Sequence, residues 1–456
     1  MTEINIIDEI ARRDAERLHG YRQLLDFYQG RQWPGRERWG EKQLTFNYAR
    51  VFVDKLTSYL MSGAGFTVEA AEDTAAARTA AEQAKKALYR VYEDNNLAQL
   101  DYETETDCAV LGDGCYKVIW EPREKRVRVT APDIQGIFAW WQGDDITRVW
   151  RVASRYRIAA EEAARLYGDK LPGIAVRMQY PGAPSLPATE REVVEVWTDA
   201  EFVLYLDGAR LESKRNPYGF IPFIIFPNLR EPKHFWGTSD LAALIEPQRE
   251  LNRALSQVSH ILELSGNPVA VLENVEASTD IAVRPGAVWN IPEDAKAYLL
   301  DLLQGGGLQL HINYIDLLYR AMHDLAEAPR AAFGGIDRNL SGVAMQIELY
   351  PLLQKVLRKR AIRSAVYNRR HRLILELLRQ FGGYPGAADG DRVRTVWGNV
   401  LPQDAAQLIA NERTLVQEGI HSRRQAMDEV GIRQPEAEFR RWLEEKKAIR
   451  EAENGT

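Results

Sequence analysis

The chain has 456 residues, 45% hydrophobic and 27% charged, the balance of a globular fold long enough to bury more than one core. A net charge of −6 excludes a protein that grips nucleic-acid phosphates over a broad basic surface, so any DNA contact is expected to be loose or confined to few positions. No apolar run reaches the roughly 18 residues of a membrane span, Phe220 to Phe226 being too short, and Met1-Thr-Glu-Ile-Asn lacks the flanks of a secretory signal. The two cysteines, Cys108 and Cys115, fit a reducing compartment and exclude a disulfide framework.

Residues 4–29 set Ile7, Ile10, Ala11, Leu18, Tyr21, Leu24, Leu25 and Tyr28 at helical spacing, which predicts one amphipathic helix. An aromatic turn from Asp26 to Pro34 follows, its rings read as core. A second helix is expected from Asn47 to Met61, ending at Ser62-Gly63. Residues 72–110 read as helix with a hinge at Asp94-Asn-Asn96. Gly112-Asp-Gly114 has the glycines of a phosphate loop, but it leads into a strand with no Gly-Lys-Ser/Thr after it, so a tight turn is the reading taken. Strands are expected at 115–120 and 126–130, a short helix at 157–168, and strands at 192–198, 202–206 and 209–213, the last two joined by the hairpin turn Asp207-Gly208. Helices mixed with antiparallel hairpins give an α+β class.

From Ser239 to Leu264 the apolar residues Leu241, Leu244, Ile245, Leu251, Leu255, Val258 and Leu262 define a helical rod roughly 40 Å long at 1.5 Å per residue. Ser239 or Asp240 is expected to cap it, Pro247 to kink its first turns, and Gly266-Asn-Pro268 to stop it. A partner rod covers Leu308–Leu325, with His311, Ile315, Leu318, Met322 and Leu325 on one stripe. The two should pack antiparallel, pushing the insert 266–306, with β signals at 269–272, 282–283 and 287–291, to their far end. That insert is too small to stand alone, and the rods carry more apolar surface than each other can cover; both point to self-association, with Leu255 and Leu318 as interface candidates. Arg330 to Gly342 is a flexible loop. A long helix, Val343–Phe381, is expected to kink at Pro351. Between Lys355 and Arg379 it carries nine Lys or Arg against one acid, Glu376. Given the negative chain, pairing with acids of the same or a neighbouring subunit is preferred to DNA contact, and Arg369 and Arg370 are further interface candidates. A strand at 392–397 and a helical, highly charged segment from Pro402 to Asn454 complete the chain.

Chemistry is sparse. There is no P-loop, His-Glu-x-x-His or Cys-x-x-Cys, and the seven histidines are scattered, His311 reading as a packed imidazole rather than a ligand. No metal or cofactor is expected.

Several ordered motifs carry a resemblance. Phe27-Tyr-x-Gly-x-Gln-Trp33 with Asn47, Trp236-Gly-Thr-Ser-Asp-Leu241, Gln248-Arg-Glu-Leu-Asn252, Ser265-Gly-Asn-Pro268, Asn339-Leu-Ser-Gly-Val-Ala344, Leu401-Pro-Gln-Asp404 and Glu418 to Met427 together resemble the portal proteins of tailed bacteriophages. The resemblance implies a portal-type fold. Its parts are a wing (1–237 and 342–400), a first stem helix (238–265), a clip (266–306), a second stem helix (307–330), a tunnel loop (331–341) and a helical crown (401–456). It also implies a dodecameric ring at one capsid vertex of the virion, assembled in the host cytoplasm, through which double-stranded DNA enters and leaves. Terminase, the major capsid or scaffolding protein and a head-completion adaptor are the implied partners, with no membrane, and packaging energy would come from the separate terminase motor. Within the loop, Phe333, Ile336, Asp337, Arg338 and Asn339 are the candidates to stand near DNA. The alternative is a metal-dependent nuclease with an unrecognised carboxylate site.

Overall fold

The structure is a computed structural model that describes residues 6–35, 42–70, 72–168, 189–266, 270–273, 296–299, 307–335, 342–384, 391–401, 405–432 and 435–454. The chain forms two units, Met1–Trp397 and Gly398–Thr456.

The first helical region is two helices, α1 (Ile6–Arg13) and α2 (Ala15–Tyr28), rather than one. The break falls at Asp14, whose carboxylate is engaged by Arg17 at 2.9 Å; a short acidic side chain favours such a boundary. α3 (Tyr48–Leu60) starts where expected, because the Asn47 side chain accepts from the Arg50 amide at 3.2 Å. After β1 (Gly65–Ala70), the predicted hinge separates α4 (Ala75–Asp94) from α5 (Leu97–Leu111), with Asn96 at φ 47°, a left-handed conformation that Asn tolerates.

Two antiparallel sheets follow. β2 (Asp113–Glu121) lies between β3 (Arg126–Thr130) and β9 (Phe223–Pro227). β4 (Ile137–Gln142), β5 (Asp145–Ala159), β6 (Glu190–Trp197), β7 (Glu201–Leu206) and β8 (Ala209–Arg215) form a five-stranded meander in chain order. Asp207 and Gly208, at φ 47° and 82°, make the expected β7–β8 turn. β5 runs on to Ala159, so the predicted helix at 157–168 shrinks to α6 (Ala160–Tyr167). Ile6, Ile7 and Ile10 of α1 cover one face of the meander at Phe138, Trp140, Val194 and Val196.

The first rod is α7 (Ile245–Gly266), preceded by a 3₁₀ turn at Ala242–Leu244. Two expectations change here. Ser239 Oγ accepts from the Leu241 amide, so it caps the lead-in rather than the rod, and Asp240 is used elsewhere. Pro247 sits in the first turn of α7, where a missing N–H breaks no intrahelical bond, so no kink is needed. The second rod is α8 (Gly307–Ala326). Tyr314 donates to Glu250 at 3.1 Å, and Leu318 shares a cleft with Pro247, so the later residues of α8 meet the earlier residues of α7 and the rods are antiparallel. Between them β10 (Ala270–Glu273) pairs with β11 (Lys296–Leu299). The β signals expected at 282–283 and 287–291 lie outside the described residues.

The long helix is divided into α9 (Gly342–Glu348) and α10 (Tyr350–Phe381). Pro351 stands at the start of α10, so the proline marks a boundary where a kink was expected. β12 (Asp391–Val396) returns to pair with β1. α10 packs on the β3-β2-β9 sheet, and Val366, Tyr367, Ile374 and Leu377 join Tyr116, Val118, Ile224 and Phe226 in one core. The second unit holds α11 (Ala405–Gln417), α12 (Arg423–Glu429) and α13 (Pro435–Asn454), with the Arg423 guanidinium 4.5 Å from the Trp442 ring centre.

Two glycines separate tight packing from open space. A Cβ on Gly237 would stand 2.5 Å from the Gly112 carbonyl oxygen, whereas one on Gly20, inside α2, would meet nothing within 4 Å. Gly237→Ala is expected to cost about 1–3 kcal/mol, and Gly20→Ala to add about 0.5–1 kcal/mol. Thermal denaturation of the two variants should therefore shift in opposite directions.

Candidate functional site

The chain brings its chemistry-bearing side chains together along α10. Leu352, Lys355, Lys359, Arg363, Val366, Arg370, Ile374 and Leu377 recur at steps of three or four, and all eight are buried. Half of this inward stripe is cationic. Such charges require partners, because an unpaired buried charge is strongly destabilising. Lys355 and Lys359 both close on Asp240, the former at 3.0 Å. Burial pushes the Asp240 carboxyl up, but the charges of Lys359 and then Lys355 outweigh it and hold it well below the usual range. Arg363 meets Glu105 on α5 at 2.9 Å and donates to the carbonyls of Pro227 and Asn228, both at 2.8 Å. Arg370 grips both carboxylate oxygens of Asp101, also on α5, one at 2.8 Å, while donating to the Tyr92 hydroxyl at 3.0 Å. Arg360 donates to the carbonyls of Tyr59 and Leu60, which end α3, and of Ser62 just beyond it. At the exposed edge, Arg358 pairs with Glu327 and Arg379 with Glu376.

A second cluster fixes the root of the loop that follows α8. The His323 ring lies against Phe52, Tyr319 and Phe333, with centroids 4.9, 4.7 and 5.1 Å away. Its Nδ1 sits 2.6 Å from the Ala328 carbonyl oxygen and so carries the proton. Burial lowers its pKa, opposed by that hydrogen bond and reinforced by Arg330. Tyr59 donates to the Ala332 carbonyl, and Lys355 to that of Ala326. The chain from 326 to 333 is thereby tied to α3 and α10.

The first rod is held by amides. Asn252 accepts from the Phe46 amide at 3.0 Å and donates to Gln32 at 2.7 Å, while Gln248 accepts from the Ala49 amide at 3.1 Å. Gln32 in turn donates to Asn47 at 2.9 Å. At the Gly112-Asp-Gly114 turn, Asp113 accepts from the Tyr21 hydroxyl and the Gly237 amide, and burial raises its carboxyl to about 6 despite these bonds. The turn is structural, leading into β2 as expected.

The candidate residues fall in different places. Phe333 is half-buried in the His323 cluster, while Ile336, Asp337, Arg338 and Asn339 lie outside the described residues. Leu255 and Leu318 are half-buried; the outward leucines of α8 are Leu310, Leu317 and Leu325, the first two 72% and 62% exposed, so Leu325 leaves the stripe on which it was expected. Arg370 is a correction: with 0% exposure and Asp101 in its grip, it is sealed inside its own chain and cannot be an interface side chain. Arg369, its neighbour, is exposed. From sequence, Asp240 is expected only as a helix cap, and nothing marks Asp101 or Glu105 as partners of the α10 cations. Their signal was the coincidence of cations with core positions on α10, which demands buried anions somewhere else in the chain. Among the described residues, no group of three or more His, Cys, Asp or Glu could hold a metal ion, and no helix is long and apolar enough to cross a membrane.

Residues 7–452 match a family model described as phage portal protein, SPP1 Gp6-like. No curated protein matches the chain.

Two outcomes test the α10 seam. Arg370→Met strands Asp101 and is expected to cost about 3–5 kcal/mol, whereas adding Asp101→Asn should recover part of that loss, giving a clear coupling in a double-mutant cycle of denaturant unfolding. His371 is buried among Phe66 and Tyr92, and burial followed by the charge of Arg370 pushes its pKa down to about 3. Below its ordinary pH range the unfolded chain binds a proton that folded His371 refuses, so stability falls as pH drops from about 6.5 toward 3, by up to about 1.4 kcal/mol per unit. His371→Phe should flatten that part of the stability profile; equal slopes in the two proteins would remove His371 from the acid response.

Proposed function

The chain belongs to the phage portal protein family, and from that membership we propose that its copies close into a dodecameric ring at one capsid vertex and that the ring conducts double-stranded DNA. The observation that carries the reading is the family match over residues 7–452. The antiparallel rods α7 and α8, with the β10–β11 pair between them in sequence, support it. In this reading the rods line the channel. The loop 331–341 narrows it, with Phe333 at the root and Ile336, Asp337, Arg338 and Asn339 beyond. The insert forms the end where terminase and then a head-completion adaptor dock, and the packaging motor is that separate terminase. Capsid or scaffolding protein surrounds the ring in the virion. No observation favours the nuclease reading.

The mechanism makes and breaks no bond. A conduit must pass any sequence, so base-specific hydrogen bonds would act as a brake. Strong phosphate binding would be a brake too, since each neutralised phosphate adds affinity. The inward use of the α10 cations suits this, because Lys355, Lys359, Arg363 and Arg370 are committed to acids of their own chain.

Light scattering and negative-stain imaging test the ring directly: a ring with a central hole is expected, and a monomer at assembly concentrations would overturn the reading. Leu317→Asp, which charges an exposed rod position, should reduce rings to monomers without changing the thermal midpoint of the subunit. In heads packaged in vitro, Arg338→Ala is expected to leave DNA content unchanged. Gly335→Pro should lower it, because proline removes the amide that donates to the Arg330 carbonyl at 3.2 Å and fixes a backbone angle glycine leaves free. Deleting 336–341 should lower DNA content further, and full heads from that deletion would take the loop out of the mechanism.

A further inference from the structure

The seam between α5 and α10 sorts charges by face. Asp101 and Glu105 of α5 turn toward α10 and are neutralised by Arg370 and Arg363. Glu103 and Asp107, each two residues further on, stand roughly 200° around the same helix and so face away from the seam. They are exposed, as is Asp133 just before the 3₁₀ turn at Ile134–Gly136. No cation is within ion-pair distance of any of the three among the described residues. Glu103 and Asp133 accept only neutral donors, from Gln99 at 2.7 Å and from the Gln135 amide at 2.9 Å. Loss of water, then the like charges of Asp133 and Glu103, raises the Asp107 carboxyl above its ordinary value.

α10 shows the opposite arrangement. Arg363 and Arg370 face the seam; Arg369 and Arg372, three residues apart, share a face turned away from it. Of the nine cations from Lys355 to Arg379, these two are the ones with neither an acid nor a carbonyl partner among the described residues. Loss of water, then the charge of Arg372, lowers the Arg369 guanidinium below its ordinary range. Each outer face thus carries like charges crowded together without a counter-ion, acidic behind α5 and basic behind α10.

We propose that these two faces meet across the contact between neighbouring copies, with Arg369 and Arg372 of one chain received by Glu103, Asp107 and Asp133 of the next. This deepens the ring reading and rests on it. A ring needs a head-to-tail contact between two different surfaces of the same chain, and here two surfaces of opposite sign lie on opposite sides of one internally neutralised helix pair. Opposite charges across such a contact fix its register and reject the wrong approach.

Charge reversal tests this in the full chain. The variant Arg369→Glu/Arg372→Glu has two acidic faces, and the variant Glu103→Lys/Asp107→Lys has two basic faces. Each alone should lose about tenfold or more of its ring yield by light scattering and negative-stain counting. An equimolar mixture of the two should restore rings, because alternating copies again place acid against base at every contact. Rescue by mixing cannot come from misfolded chains. Rings at wild-type yield from each variant alone, or failure of the mixture to recover, would overturn the proposal while the unaltered ring still stood. Unchanged ring yield with weaker DNA binding by the arginine variant would overturn it in favour of a phosphate contact. If the unaltered chain formed no ring, the reading beneath the proposal would fall, and that result is distinct from the other two.

Discussion

The cations buried on α10 constrain everything around them. A lysine or arginine carried into a core is tolerated only where an acid and enough hydrogen bonds meet it, and breaking such a pair leaves an isolated buried charge. Asp240 must therefore stand under Lys355 and Lys359, Glu105 under Arg363 and Asp101 under Arg370. These requirements place the lead-in to the first rod, the middle of α5 and the end of β9 against one helix. Asn228 shows the economy of the junction: its backbone and side-chain oxygens accept from Arg363 while its side-chain amide donates to Asp240. Hydrophobic residues of equal volume could hold the same elements together, but they would not select one register of α10 over a slip by a turn. Charge pairing at successive turns does.

Much of this was legible in the sequence, and the failures have physical causes. The α4–α5 hinge, the Asp207-Gly208 turn, the start of α3 and the two rods all follow from local signals: a break at Asp94-Asn-Asn96, a two-residue hairpin, a polar residue before an apolar run and a periodic apolar face. β9 was passed over because Phe223 to Pro227 is covered on both faces, so no alternation marks it as a strand. β1 and β12 pair across more than three hundred residues, a partnership no local pattern reveals. Prolines were placed correctly and misjudged in effect: Pro247 and Pro351 both sit in first turns, where proline is harmless.

The candidate site was the least legible part. In sequence the basic stretch of α10 reads as one surface, which puts Arg369 and Arg370 together. The structure divides them, one outward and one sealed against Asp101, because adjacent residues on a helix point about 100° apart. Aligning the cations with Leu352, Val366, Ile374 and Leu377 would have exposed the inward stripe. The loop root was hidden for another reason: Phe52, His323 and Phe333 come from three separate elements and meet only in the fold. A portal subunit built this way has a rigid spine of satisfied charges, with the proposed conducting loop anchored to it through Lys355, Tyr59 and the His323 cluster.

The central claim is that α10 is an internal spine and not a grip on DNA. Hydrogen–deuterium exchange across residues 352–377, with and without double-stranded DNA, tests it most directly. The account predicts that these amides are among the slowest in the chain, exchange only with global unfolding, and keep the same rates when DNA is added. Exchange by local opening of α10, or new protection along it on adding DNA, would contradict the claim.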